Sequence, residues 1–190
     1  MSIKITIAEL NGAGGYYGAL LAKHYTYDEE IDVCFLTRGL HLKGLQRVGL
    51  TTRFDKHGAF AAQPRLTTDQ PDKIGVSDYI ILGSEVYCTE ERIKLLKPCI
   101  AKTTVIVPIS KDAGVVERIR ALLPDNEVWE AHSEVEAEIS GSGMLSVNGS
   151  DKRLYIGAVK TSSKQPQFEK LLREAGIEVE MVSIQQTINK

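Results

Sequence analysis

The residues best suited to chemistry lie near the N-terminus. In IKITIAELNGAGGYYGALLA, residues 3–22, Ile3, Ile5 and Ile7 alternate with Lys4 and Thr6. Gly12, Gly14, Gly15 and Gly18 then cluster, and a small apolar run follows. Such alternation is a strand pattern, and glycines leading into small apolar residues mark a turn opening into a buried helix. The first turn of a helix carries N–H groups without intrahelical partners and a partial positive charge, so it can hold an anion. Strand, glycine turn and helix in that order form the arrangement that binds the diphosphate of a dinucleotide.

The glycines admit two frames of the Gly-x-Gly-x-x-Gly pattern. With Gly14 as the third glycine, the motif falls on Glu9, Leu10, Asn11, Gly12, Ala13 and Gly14. Starting from Gly12 and Gly14 puts Tyr17 at the third position and lengthens the strand. The first frame is preferred, because it keeps the strand short and leaves small residues where helix meets sheet. In that frame a Cβ at Asn11 obstructs the backbone approach to a diphosphate, although asparagine tolerates the left-handed conformation. Glu9 brings a carboxylate toward the same group. Like charges ~4 Å apart at an effective dielectric of about 20 repel by roughly 4 kcal/mol, or about three powers of ten in affinity.

The elements that position this turn follow in order. Residues 31–37 (IDVCFLT) and 78–84 (DYIILGS) are nearly continuous apolar runs, as expected of strands buried on both faces, and 103–109 (TTVIVPI) is a third. Residues 40–48 predict a short helix with Leu42 and Leu45 on one face, and 90–96 another, stopped by Pro98. Residues 49–68 hold two extended pieces, LTTRF and FAAQPRLTT, around the turn-like DKHG. Asp112 begins a helix through Val116, Ile119 and Leu122. Residues 127–139 read as one long strand, and 143–147 with 153–158 as a strand pair around Asn148-Gly149-Ser150. A helix over 167–175 ends at Gly176, a strand covers 177–182, and 183–190 starts a further helix. Helices and strands alternate over the first two thirds, which predicts a doubly wound, mostly parallel sheet.

Composition excludes several classes. A length of 190 residues with 43% apolar content suits one α/β domain, or one with a small appendage. A formal charge of −2 gives no reason to expect nucleic acid or an anionic membrane as partner. No apolar run is long enough for a membrane span, and the N-terminus has no secretory pattern, so a cytoplasmic location is expected. Cys34, Cys88 and Cys99 have no metal-type spacing and read as reduced, buried thiols. Glu134, Glu136 and Glu138 alternate without histidines in a ligand pattern, so a solvated face is expected and no metal. His24, His41, His57 and His132 are scattered, and Tyr16 and Tyr17 suit packing better than ligand stacking.

The chain resembles the ketopantoate reductases (2-dehydropantoate 2-reductases). The resemblance rests on GGYYGALLA (14–22), FLTRGLHLKGL (35–45), DYIIL (78–82), ALLPDNEV (121–128) and LLREAGIEVE (171–180). It implies an α/β, Rossmann-type, doubly wound, mostly parallel sheet with extra C-terminal strands over residues 1–182. Residues 183–190 would then begin the linker helix to an all-helical domain that this chain lacks. The family's activity is reduction of ketopantoate, a 2-keto acid, with NADPH, on the route to pantothenate.

Carried over residue by residue, the resemblance places cofactor contacts at Leu10, Asn11, Gly12, Ala13 and Gly14, at Arg38 beside the adenosine 2′-phosphate, and at Lys111. It also locates departures. Glu9 and Asn11 stand at two glycine positions, Glu85 at a lysine and Lys111-Asp112 at an Asn-Gly pair. The family's catalytic lysine aligns one residue beyond Lys190, so no catalytic residue is assigned. Weak or lost NADP binding and no catalysis by this chain alone are the expectations. Three readings follow: a reductase completed by its other half, a non-catalytic protein binding a ligand or partner, and a scaffold with an exchanged site. A Glu85–Lys111 ion pair across the cleft, and self-association over the face a helical domain would cover, are further expectations.

Overall fold

The computed structural model describes residues 2–54, 58–83, 88–140, 143–149, 151–157 and 162–182. The first half of the chain runs β1 (Ile3–Ala8), α1 (Ala13–His24), β2 (Ile31–Leu36), α2 (Leu40–Val48), β3 (Leu50–Phe54), β4 (Gly58–Ala62), β5 (Leu66–Thr68), α3 (Pro71–Ile74), β6 (Tyr79–Leu82) and α4 (Glu90–Leu95). The second half runs β7 (Val105–Pro108), α5 (Ala113–Leu122), β8 (Glu127–Val128), β9 (Ala131–Ser133), β10 (Glu136–Ser140), β11 (Met144–Asn148), β12 (Leu154–Gly157), α6 (Gln165–Glu174) and β13 (Val179–Val182). The expected helix over 183–190, the Ser84 end of the buried run 78–84 and the centre of the DKHG turn lie outside the described residues.

A six-stranded sheet in the order β5-β2-β1-β6-β7-β8 carries the fold, and every pairing in it is parallel. Its strands alternate between two hydrophobic layers. Ile5, Ile7, Val33, Phe35, Tyr79, Ile81, Val105 and Val107 face one layer. Ala8, Cys34, Ile80, Leu82 and Ile106 face the other. Leu21 of α1 and Phe168 of α6 pack into the first layer; Ile93 of α4 and Val116 and Ile119 of α5 pack into the second. Both faces are therefore buried, which is why these strands read as continuous apolar runs. The doubly wound parallel sheet expected from the sequence is present, matching the Rossmann-like class.

Two smaller sheets complete the chain, in the orders β10-β11-β3-β4 and β13-β12-β9. They correct three sequence expectations. The single strand over 127–139 is three strands in three sheets. Val128 and Trp129 are buried in succession, and so are Ala131, His132 and Ser133. Each lapse of two-residue alternation is a place where the chain bends from one sheet to the next. The segments 143–147 and 153–158 do not pair with each other either. β11 pairs with β10 and β3, while β12 pairs with β9 and β13. The Asn148-Gly149 step, with Gly149 at φ 101°, leads from one sheet to another instead of closing a hairpin. FAAQPRLTT likewise divides, β4 closing an antiparallel hairpin with β3 and β5 joining the edge of the large sheet.

Cys34, Cys88 and Cys99 are buried and form no disulfide. Burial pushes the Cys34 and Cys99 thiols up to about 11, so both are protonated at neutral pH. Iodoacetamide should leave all three unmodified in the native protein and label them once denaturant is added. Native labelling at the rate of an exposed cysteine, read by mass spectrometry, would contradict this packing. Among the described residues no helix is long and apolar enough to cross a membrane, and no acid, histidine or cysteine cluster is able to hold a metal ion.

Candidate nucleotide site

The glycine turn sits where β1 ends and α1 begins, at the C-terminal edge of the parallel sheet. Gly14 meets Gly83 so closely that an added Cβ would stand 2.2 Å from the Gly83 Cα. A Cβ at Gly18 would stand 2.8 Å from Ile7 Cγ1. These contacts are what the third fingerprint glycine provides, close packing of helix on sheet. Glu9, at the position of the first glycine, has φ 73°, a left-handed value found at no other non-glycine described residue. Both observations agree with the frame that runs from Glu9 to Gly14.

The turn is engaged from outside. Gly12 N–H donates to the Ala137 carbonyl at 2.8 Å, and Asn11 Oδ1 accepts from Ile139 N–H at 3.2 Å. Strand β10 therefore lies along the turn and takes a backbone donor that a diphosphate would need. The Leu10 side chain is fully buried in the core, so only its backbone belongs to the turn. Gly14 N–H points to the Gly83 carbonyl at 3.4 Å.

Glu9 does not aim its carboxylate at the helix terminus. Glu9 Oε1 accepts from the Thr37 hydroxyl at 3.2 Å and from Leu10 N–H at 3.4 Å, while Glu9 N–H donates to the Leu36 carbonyl at 3.0 Å. The side chain is 9% exposed and lies against the end of β2. It lines a cavity of about 80 Å³ with Thr37, Arg38 and Arg92, walled by apolar Leu36, Pro71 and Leu96. Its carboxylate thus stands at the end of β2, on the side of the turn toward Thr37 and Arg38.

Lys111 lies in a different place. It lines a cleft of about 190 Å³ with Ala13, Gly83, Ile109, Ser110, Ser133 and Val135. Lys111 Nζ donates to Glu134 Oε2 at 2.7 Å. Glu85, the partner expected from the sequence, lies outside the described residues. Asp112 caps α5, its Oδ1 accepting from Gly114 N–H at 2.8 Å. The predicted site residues thus divide into the turn from Leu10 to Gly14, Arg38 in the cavity beside β2, and Lys111 in the cleft beyond α1.

Thr37, Arg92 and Ser133 were not singled out from the sequence. Arg92 follows its N-cap Thr89 by three positions on a short helix, a pattern that signals the helix but not a cavity. Ser133 accepts or donates at 2.6 Å with the Tyr17 hydroxyl, which also donates to the Arg153 carbonyl at 2.9 Å. Tyr17 is therefore a packing and bonding residue, and burial raises its phenol above the usual tyrosine range.

Known proteins similar to this chain are consistent with one another. The family model Ketopantoate reductase PanE/ApbA matches residues 5–161. The 2-dehydropantoate 2-reductase of Mesorhizobium japonicum is 24% identical over 139 residues, which is 67% of this chain and 41% of that protein. The crystal structure of 2-dehydropantoate 2-reductase from Porphyromonas gingivalis W83 superposes with a TM-score of 0.89 at 30% identity, covering 97% of this chain and 65% of that one. The crystal structure of the Methylococcus capsulatus 2-dehydropantoate 2-reductase superposes at 0.82 with 23% identity, covering 98% and 59%. The chain spans less than two thirds of the length of each of these proteins.

Proposed function

Because the chain belongs to the ketopantoate reductase PanE/ApbA family, we propose that it is the nucleotide-binding half of an NADPH-dependent 2-keto-acid reductase with weakened hold on its cofactor. The single observation that carries this reading is the occupied turn, with Gly12 N–H on Ala137 and Asn11 on Ile139. The residues present fit an adenosine beside β2 and fit the diphosphate of a dinucleotide poorly. When bound, a nicotinamide cofactor supplies the hydride. This chain would contribute Arg38 toward the adenosine end and Lys111 with Ser110 in the neighbouring cleft.

Keto-acid reduction also requires an acid that protonates the nascent alkoxide. Among the residues lining the larger cleft, Lys111 is the cation, and its ammonium is paired with the Glu134 carboxylate at 2.7 Å. No turnover of ketopantoate by this chain alone is expected. A calorimetric titration with NADPH, with NADH for comparison, tests the reading. Weak binding of either nucleotide, without micromolar affinity, is the expected result. Micromolar binding that prefers NADPH would overturn the weakened site. The same occupied turn also favours a second reading, a non-catalytic domain that binds another ligand through the cavity beside β2.

A further inference from the structure

We propose that Arg92 of α4 is a specificity-determining residue of this chain, a second guanidinium that closes with Arg38 on a phosphate carried by the ribose. This rests on the reading of the cavity beside β2 as the adenosine site. In parallel-sheet nucleotide domains an arginine near the end of the second strand accommodates a 2′-phosphate. Arg38 stands at that place, but it is exposed, and a lone exposed guanidinium is screened by water and salt. Arg92 is half-buried and lines the same cavity.

The two side chains come from opposite walls. The sheet order β2-β1-β6 puts the end of β1 between them, so Arg38 enters from the β2 side and Arg92 from the helix that follows β6. Arg92 is held in place by its neighbours. Ile93 and Leu96, each 3% exposed, pack into the second hydrophobic layer, and Arg92 N–H donates to the hydroxyl of the N-cap Thr89 at 3.4 Å. Arg92, Leu95 and Leu96 are spaced i, i+3 and i+4, which puts them on one face, and all three line the cavity. That face offers an apolar wall for an adenine ring and a cation beside it for an anionic substituent.

Glu9 and Asp69 also line the cavity, so its formal charge is balanced and net charge alone does not draw an anion in. Direction does. Glu9 Oε1 already accepts from the Thr37 hydroxyl and from Leu10 N–H, and Asp69 is exposed beyond the end of β5. A guanidinium presents a rigid fork of donors that matches two phosphate oxygens, and a hydroxyl in the same position cannot engage it bidentately. Forks from two walls therefore favour a 2′-phosphate over a free 2′-hydroxyl.

Adenosine 5′-monophosphate and adenosine 2′,5′-bisphosphate isolate this feature, because neither carries a dinucleotide diphosphate. Calorimetry on the full chain should show the bisphosphate binding about tenfold tighter or more. Arg92→Ala should remove most of that preference by weakening the bisphosphate and leave the monophosphate nearly unchanged. Arg92→Lys, which keeps the charge without the fork, should retain a preference between those of the wild type and the alanine variant. An unchanged preference in Arg92→Ala would overturn the role of Arg92 and leave Arg38 as the contact. Equal weakening of both ligands in Arg92→Ala and Arg92→Lys would assign Arg92 to the fold of the cavity and overturn the proposal as well. A wild-type chain that binds both ligands equally would overturn the two-arginine grip while leaving the adenosine site standing. Failure of both to bind the wild type at millimolar concentration would overturn the adenosine site itself, and this proposal with it.

Discussion

Gly14→Ala is expected to destabilise the protein by about 3 kcal/mol, the upper end of the usual cost of overpacking. The added methyl would stand 2.2 Å from the Gly83 Cα and 3.1 Å from its nitrogen. Both are backbone atoms, so no side-chain rotation relieves the collision. Either α1 lifts from the sheet or the β6 end shifts, and each movement disturbs a close-packed layer. Gly39→Ala is the control. Gly39 has φ 72°, and a Cβ there meets nothing within 4 Å, so only conformational strain of about 1 kcal/mol is expected. Urea denaturation of the two variants separates collision from strain. Equal losses would mean that the helix and sheet are not in contact at Gly14.

Phe168→Ala should cost about 3–5 kcal/mol, the range for truncating a buried aromatic. Phe168 is fully buried on α6. Its ring stacks on Tyr79 with centroids 4.7 Å apart and meets Trp129 edge-on at 5.6 Å. Three elements converge there: β6 brings Tyr79, the bend after β8 brings Trp129 and α6 brings Phe168. Truncation leaves a cavity whose walls are held in place, because the Tyr79 hydroxyl is bonded to the Lys164 carbonyl at 3.1 Å and to Gln167 Oε1 at 2.8 Å. Walls that cannot collapse raise the cost of a cavity. Phe168→Leu, which keeps most of the volume, should lose clearly less. A loss below about 1 kcal/mol for the alanine variant in urea denaturation would contradict the aromatic cluster as the anchor of α6.

The two experiments bear on function through the same geometry. Gly14 places the start of α1 against the sheet end, and Phe168 fastens α6 over the same face. Trp129 stands just before β9, whose Ser133 lines the cleft that holds Lys111. Loosening either contact alters the spacing between the turn and β10, where Gly12 and Asn11 are engaged.

The sequence by itself determined the large sheet and the frame of the turn. Strands buried on both faces must be apolar at nearly every position, and residues 31–37, 78–84 and 103–109 are so, which leaves a doubly wound sheet as their solution. Gly14 and Gly18 determined how α1 packs, because only residues without a Cβ allow that approach to Gly83 and Ile7. Tertiary structure decided the rest. The stretch from 127 to 139 reads as one strand, since local alternation does not say which sheet a residue faces; burial of Trp129 beside Tyr79 and Phe168 made the chain turn. The direction of the Glu9 carboxylate was equally hidden. Sequence places it beside the diphosphate turn, but the left-handed backbone and the Thr37 hydroxyl, 28 residues away, carry it to the end of β2. Lys111 found Glu134 by the same route, across strands that only the assembled sheets bring together. Periodicity reports the face a residue shares with its neighbours in the chain, whereas partners distant in sequence are chosen by packing.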